Sequence, residues 1–342
     1  MPVKKAIFDK KNILVVGGAG FVGSHLCEEL LKSNKVICID NFITGDNANI
    51  SHLLQNPDFR FINHDVIKPL ELESLLELES LRIPFQGIQE IYFLASPTSP
   101  AAYMKFPLET LLVNSVGLRN MLDFAVKYQA KFLFASSPAV YGSGTGEMQI
   151  KESYVGPVDQ LGSRAVFAEA KRFGETLTNT YHLKAGVDTK IARIFNCYGS
   201  RMGLADGRMI PELIKAAVEH KDLAVYGKEA DTTSYFFIDD LLRGLIKLMG
   251  DNGNSPVNLA SEWKVSLKEV AEKVVELTQS KSKIIFQERP EHFDAQPLAD
   301  ITKAKEDLGW FPIVLLDEGI KKTIDYLSAQ EGIRRPENVN KM

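Results

Sequence analysis

The chain has 342 residues, 45% of them hydrophobic and 25% charged, and a formal net charge of −4. This is the composition of an ordinary globular protein with core enough for one large domain or two smaller ones, and it gives no reason to expect a nucleic acid or an anionic membrane as partner. No apolar run approaches bilayer-spanning length, the opening MPVKKAIFDKKN lacks the core of a signal peptide, and Cys27, Cys38 and Cys197 form no CxxC pair, so free thiols and a cytoplasmic location are expected.

The strongest local signal is ILVVGGAGFVGSHLCEELLKSNKVICID, residues 13–40. It predicts a strand, a glycine turn, a helix and a second strand closing on an acid, the pattern of a dinucleotide-binding βαβ unit. Gly17 permits the tight turn, Gly20 lets a pyrophosphate approach the backbone, and Gly23 lets the helix pack closely. The first helical N–H groups, around Phe21 and Val22, then face the phosphates. Asp40 lies seventeen residues beyond the last glycine. A carboxylate there accepts from both ribose hydroxyls and repels a 2′-phosphate, which favours NAD over NADP. The polar loop DNFITGDNANI follows, with Thr44 and Gly45 placed to close over the adenosine end.

Phe59 to Ile62 reads as a third strand. Asp65, just after it, is either an acceptor for an adenine amino group or the cap of a following helix. LELESL occurs twice in succession over 70–81, which predicts a solvated amphipathic helix. Glu90 to Ala95 is a fourth strand, and the two prolines of SPTSP at 96–100 predict a loop at the carboxyl edge of the sheet, where open α/β folds bind ligands. A helix follows from about Pro107 to Tyr128 and contains Asn114. Lys131 to Ala135 is the fifth strand, and a second long helix, about Ser163 to His182, carries Phe167, Lys171 and Glu175 on one face. Lys190 to Phe195 is the sixth strand and leads into Asn196.

This alternation predicts the α/β class, a doubly wound, Rossmann-type parallel sheet. Beyond residue 199 the pattern loosens into a helix after Asp206, a strand at Leu223–Tyr226, YFFIDD feeding LLRGLIKLM, a short strand at Pro256–Leu259, a helix capped by Ser266 and a strand at Lys283–Phe286. Residues 1–198, with 232–262 returning to them, are expected to form the sheet domain. The smaller mixed region, 199–231 and 263–342, is expected to roof its ligand edge. Asn196 ends a strand at that edge, Arg208 offers a fork suited to phosphate, and Tyr226 offers a face to a base. The six histidines show no metal-ligand spacing, and no metal is expected.

Taken together, GGAGFVGSHL at 17–26, DNFITG at 40–45, HDV at 64–66, LASPTSPAAY at 94–103, RIFNCYGSRM at 193–202, DGRM at 206–209 and DITKAKEDLGW at 300–310 resemble the extended short-chain dehydrogenase/reductase family. This is the family of nucleotide-sugar epimerases, dehydratases and decarboxylases, and the likeness covers nearly the whole chain and is nearest to the uronate decarboxylases. The resemblance implies NAD held also by Asn41, Phe42, Val66, Leu94, Ala95, Ser96, Asn114 and Lys171. It implies a nucleotide sugar, most simply a UDP-sugar, at Pro97, Tyr103, Asn196, Arg201, Arg208 and Tyr226, and a homodimer that pairs the helices near 107–128 and 163–182. In such enzymes NAD oxidises sugar C4 while a Tyr, assisted by a Lys four residues later, takes the hydroxyl proton. A 4-keto uronate is a β-keto acid and loses CO2 readily.

The chain departs from that pattern at its centre. Four residues before Lys171 stands Phe167, the segment Ser137-Pro138-Ala139 has lost the family's acid, Thr233 stands where an Arg is usual, and PEHFDAQPLAD shows no clear match to a late Arg. Ser137 and Lys171 remain. Lys171 is either a ligand of the nicotinamide ribose or a solvated helix lysine, and Tyr141 reads as structural or catalytic. Tyr103 and Tyr154 are alternative sources of a displaced hydroxyl. The function is then a C4-redox enzyme with a relocated base or a cofactor- and sugar-binding pseudoenzyme. Three losses together argue against a single deliberate Tyr-to-Phe change.

Overall fold

The structure, a computed structural model, describes residues 9–142, 148–204, 207–290 and 297–330. Apart from short strands of two or three residues outside the main sheet, the described residues form β1 (Asn12–Val16), β2 (Lys35–Asp40), β3 (Phe59–Asn63), β4 (Glu90–Phe93), β5 (Lys131–Ser136), β6 (Thr189–Ile194), β7 (Leu223–Tyr226), β8 (Val257–Leu259) and β9 (Ile284–Gln287). All except β7 and β9 build one seven-stranded sheet in the order β8-β6-β5-β4-β1-β2-β3, with every pairing parallel. Its central strands are near-continuous apolar runs because both faces are covered. Alternate residues serve opposite layers: Ile13, Val15, Val36 and Cys38 enter one core, and Leu14, Val16, Ile37 and Ile39 the other.

The helices are α1 (Phe21–Leu31), α2 (Pro100–Lys105), α3 (Pro107–Leu112), α4 (Leu118–Tyr128), α5 (Ala165–Ala185), α6 (Met209–Val218), α7 (Ile238–Gly250), α8 (Leu267–Thr278), α9 (Thr302–Leu308) and α10 (Leu316–Gln330), with one further turn at Ile83–Gln86. Leu26 and Leu30 of α1 share one core with Leu241 and Leu245 of α7, while Met121 and Leu122 of α4 meet Phe93 and Phe132 in the other. The helix α5 comes so near the sheet that a Cβ on Gly174 would lie 2.4 Å from the ring of Phe134. β7 pairs with β9 outside the main sheet, and α8, closed by a reciprocal Ser266–Glu269 capping box, packs nearby in the same core as α6.

Register decides where the ligand edge falls. Val16 is level with Ile39 and with Phe93, so the segments after β1, β2 and β4 open together at one rim. The strand order reverses at β1, and this rim is therefore the crevice in which doubly wound sheets bind ligands.

Three local expectations need correction. The LELESL repeat forms 3₁₀ turns at Leu72–Ser74 and Leu76–Leu81 in place of a solvated α-helix, because Leu72, Leu78 and Leu81 are buried in the core that holds Phe93 and Phe132. The SPTSP segment is a loop only as far as Ser99. Pro100 starts α2, since proline at the first helical position forfeits no hydrogen bond, and the Ser99 Oγ accepts from the Ala102 N–H at 3.2 Å. The helix expected over 107–128 is interrupted by a π-turn at Val113–Gly117, and this turn contains Asn114.

Candidate active site

The glycine turn is shaped by contacts that leave no space for a side chain. Gly17 has φ +81°, and a Cβ there would fall 2.6 Å from the Ala95 nitrogen; one on Gly23 would fall 2.1 Å from the Gly17 oxygen. The N–H of Gly17 donates to the Ile39 oxygen at 2.8 Å, which ties the turn to the end of β2. Asp40 is buried beside it. Its Oδ2 accepts from the Ala19 N–H at 2.9 Å and its Oδ1 from the Phe42 N–H at 2.8 Å. Burial raises the Asp40 pKa, and these backbone donors offset part of that effect.

A cavity of about 890 Å³ runs from this turn to the roof. Gly17, Gly20, Phe21, Val22, Gly23, Thr44, Gly45, Leu94 and Ser96 line its sheet side, Tyr103, Ser137, Phe167 and Lys171 its middle, and Asn196, Arg201, Arg208 and Tyr226 its far side. A smaller cavity of about 90 Å³ shares Gly17, Gly20, Thr44, Leu94 and Ser96 with it and adds Asp40, Asn41, Asp65, Val66, Ala95 and Pro97. Pro97 thus lines the small cavity and not the large one. Asp65 caps no helix; its Oδ1 accepts from the Ile67 N–H at 3.2 Å within its own turn. Phe42 lines neither cavity and lays its ring 5.1 Å from that of Phe61.

Lys171 is 2% exposed, which excludes the solvated alternative. Its Nζ donates to the Asn114 Oδ1 at 3.1 Å and to the Ala135 oxygen at 2.9 Å. Burial pulls its pKa down to about 7. Asn114 is buried and lines neither cavity, and its Nδ2 donates to the Ser96 Oγ and the Thr110 oxygen, each at 2.9 Å. The π-turn thus sets the residue that orients the lysine. Phe167, one turn before Lys171, places its ring centroid 5.8 Å from that Nζ, and the Tyr103 ring lies parallel to Phe167 at 5.2 Å with a 10° tilt.

The neighbouring polar groups are linked by hydrogen bonds. The Ser137 Oγ accepts from the Ala139 N–H at 3.2 Å and opens the turn Pro138–Tyr141. Ser136 donates to Glu175, which also takes a two-pronged contact from Arg193 at 2.8 and 2.7 Å. Tyr141 is fully buried, donates to the Asn258 Oδ1 at 2.6 Å and accepts from Arg193, and burial lifts its pKa to about 12. It is structural. Thr233 accepts from the Asn196 Nδ2 at 3.1 Å.

Arg208 Nη2 donates to the Thr98 Oγ1 at 2.6 Å and so bridges the roof to the SPTSP segment. Arg201, at φ +61°, lines the large cavity and is paired with Glu28 of α1 at 2.5 Å. Two lining cations escaped the sequence reading. Arg289 pairs with Asp231 at 2.6 Å and directs its Nε to the Tyr226 oxygen at 3.4 Å. Arg164 precedes α5. An Arg two residues after β9 was the available signal for the first; the expected late-Arg stretch is largely residues 291–296, outside the described residues. With Lys105, Lys171, Arg201 and Arg208 they make six basic residues facing one carboxylate, Asp46, among the described lining residues, which suits a ligand of several negative charges. No group of three or more metal-ligating side chains occurs among the described residues, and none of their helices is long and apolar enough to cross a membrane.

Residues 13–260 match the model of the NAD dependent epimerase/dehydratase family. UDP-glucuronic acid decarboxylase 1 of Danio rerio is 40% identical over 323 residues, spanning 94% of this chain and 74% of that protein. UDP-glucuronic acid decarboxylase 3 of Arabidopsis thaliana is 38% identical, spanning 93% and 90%. Among solved structures, a Tyr-to-Phe variant of UDP-glucuronic acid 4-epimerase from Bacillus cereus, in complex with UDP-4-deoxy-4-fluoro-glucuronic acid and NAD, superposes with a TM-score of 0.79 at 27% identity, covering 93% of this chain and 99% of that one.

Proposed function

Because this chain belongs to the NAD dependent epimerase/dehydratase family, we propose that it is an NAD-using enzyme that modifies a UDP-sugar by redox at C4, with a UDP-uronate as substrate and decarboxylation as net reaction. The observation that carries the substrate class is the ring of basic side chains around the large cavity, continuous with the glycine turn. The residues fit NAD: the turn has no room for a Cβ at Gly17 or Gly23, and Asp40 lines the small cavity where a ribose would lie. When bound, NAD accepts a hydrogen with its electron pair from the sugar and later returns it.

The chain's own residues do the rest. Helix α1 would offer its first N–H groups to the phosphates of NAD, and Lys171, held by Asn114 and the Ala135 oxygen, would hold the nicotinamide ribose. Arg208 and Arg289 neutralise the nucleotide diphosphate, and Tyr226 lies under the base. Asn196, steadied by Thr233, orients the sugar. On this reading residues 1–198 and 232–262 serve the cofactor, and 199–231 and 263–342 the nucleotide. Leu108, Leu112, Val116 and Phe173 are exposed on α3, the π-turn and α5, and we assign them to a homodimer contact. The three free cysteines support cytoplasmic residence.

Phe167 makes the site atypical for such a reaction, since its ring can neither give nor take a proton. The expected outcome is NAD binding with slow turnover of UDP-glucuronate, below that of an enzyme with a phenol there by up to about 10²–10⁴. Phe167→Tyr should recover part of the deficit, since Ala139 and Thr233 remain. CO2 release and UDP-xylose formation from UDP-glucuronate and NAD measure this. Retained NAD binding without turnover of any nucleotide sugar would leave a binding protein of the same fold instead.

A further inference from the structure

Arg289 lines the large cavity, and the residues that frame its guanidinium, Gly227 and Asp231, do not. It stands just beyond β9, whose last residue, Gln287, is level with Tyr226 of β7. Its Nε donates to the Tyr226 oxygen at 3.4 Å and its Nη2 to the Asp231 Oδ2 at 2.6 Å. Nε and Nη2 share one edge of the planar guanidinium, so that edge is filled. The other edge, formed by Nη1 and the second N–H of Nη2, has no partner among the described residues. The guanidinium lies over the backbone of Gly227, where φ is +130° and a Cβ would fall 2.9 Å from both Nε and Nη2. Asp231 is itself fixed by its own turn. Its Oδ2 accepts from the Lys228 N–H at 2.9 Å, its N–H donates to the Lys228 oxygen at 3.0 Å, and its oxygen accepts from the Leu267 N–H at the start of α8, also at 3.0 Å.

We propose that Asp231 is a positioning residue of the nucleotide site, an inference that rests on the diphosphate lying at Arg289. With Gly227 beneath, Asp231 holds the side edge of the guanidinium and leaves the Nη1 and Nη2 edge, a fork that matches two phosphate oxygens, for the ligand. By charge alone, a carboxylate beside the site opposes an anionic ligand. Its geometry acts the other way: an arginine that is loose before binding must be ordered by the ligand, which weakens affinity by about two- to tenfold for one long side chain. Asp231 meets no ligand itself and acts through Arg289.

The test is calorimetry of UDP binding by the full chain. Asp231→Asn and Asp231→Ala delete the same negative charge, but only the Asn keeps a side-chain oxygen for the Arg289 Nη2 and the Lys228 N–H. Charge therefore cancels when the two are compared, and Asp231→Ala should bind UDP about three- to tenfold more weakly than Asp231→Asn. The same two substitutions made on top of Arg289→Ala should differ by less than about twofold, because the group that they position is gone. NAD affinity within about twofold of the unaltered protein shows that each variant is folded. A gap below about twofold with Arg289 present would overturn the assignment, and so would a gap that persists undiminished without Arg289, since Asp231 would then serve only its own turn. An unaltered protein that binds no UDP, or an Arg289→Ala variant that binds it as tightly as the unaltered protein, would overturn the placement of the diphosphate, and this assignment with it.

Discussion

The buried amine of Lys171 makes a measurable claim about stability. Its pKa is lowered by burial from an ordinary 10.5 to about 7 in the folded chain. The folded pKa lies below the unfolded one, so between these values the unfolded chain binds a proton that the native chain does not, and stability rises with pH. Below about pH 7 the penalty is constant; above the unfolded pKa it is gone. Across about pH 7 to 9 the gain from this one group is about 2 kcal/mol. Lys171→Met keeps most of the side-chain length and cannot titrate. It leaves the Asn114 Oδ1 and the Ala135 oxygen without their donor, an offset of about 1–3 kcal/mol per acceptor that does not vary with pH. Urea unfolding of the two cofactor-free proteins at a series of pH values gives the comparison, and their difference isolates the lysine. Parallel curves, within about 0.5 kcal/mol across the window, would show that Lys171 remains charged in the fold and would refute the reasoning from burial.

Asp40→Ala should weaken NAD by about 1.5–3 kcal/mol, the range for hydrogen bonds to a charged group; tighter binding of NADP than NAD by the unaltered protein would contradict the role given to this carboxylate. Arg208→Ala and Arg289→Ala should each weaken UDP by about 1.5–3 kcal/mol in calorimetry, and an unchanged affinity removes that residue from the diphosphate site. Val116→Arg, on the exposed apolar stripe of the π-turn, should convert a dimer to a monomer in sedimentation while NAD affinity holds; a monomeric unaltered protein would dismiss the assigned contact.

The cofactor half of the molecule was legible because its signals are local. A strand that must be buried on both faces is an apolar run, and a turn that admits no Cβ is spelled with glycine, so β1, α1, β2 and Asp40 could be read directly, and the parallel sheet and the family follow. Where tertiary contacts overrode local preference the reading failed. LELESL has helical periodicity, yet its leucines are drawn into the core as 3₁₀ turns; the π-turn at 113–117 leaves no trace in hydrophobic spacing. The roof was harder still. Arg164 and Arg289 lie far apart in sequence and resemble any surface arginine until the fold brings them to one cavity with Arg201 and Arg208.

The route of the chain has a consequence for how this protein can be cut. After β6 it leaves the main sheet to build β7 and α6, comes back to lay down α7 and the edge strand β8, then leaves again for α8 and β9. A gene fragment ending near residue 200 would therefore lack β8, which pairs Val257 with Ala192 and Leu259 with Ile194, and α7, which fills one core through Leu241, Leu245 and Leu248. Such a fragment would present β6 as an open, apolar sheet edge beside an uncovered face, the template for aggregation. A cut there separates the sheet from the strand and helix that complete it, so the segment before residue 200 is not a free-standing nucleotide-binding module.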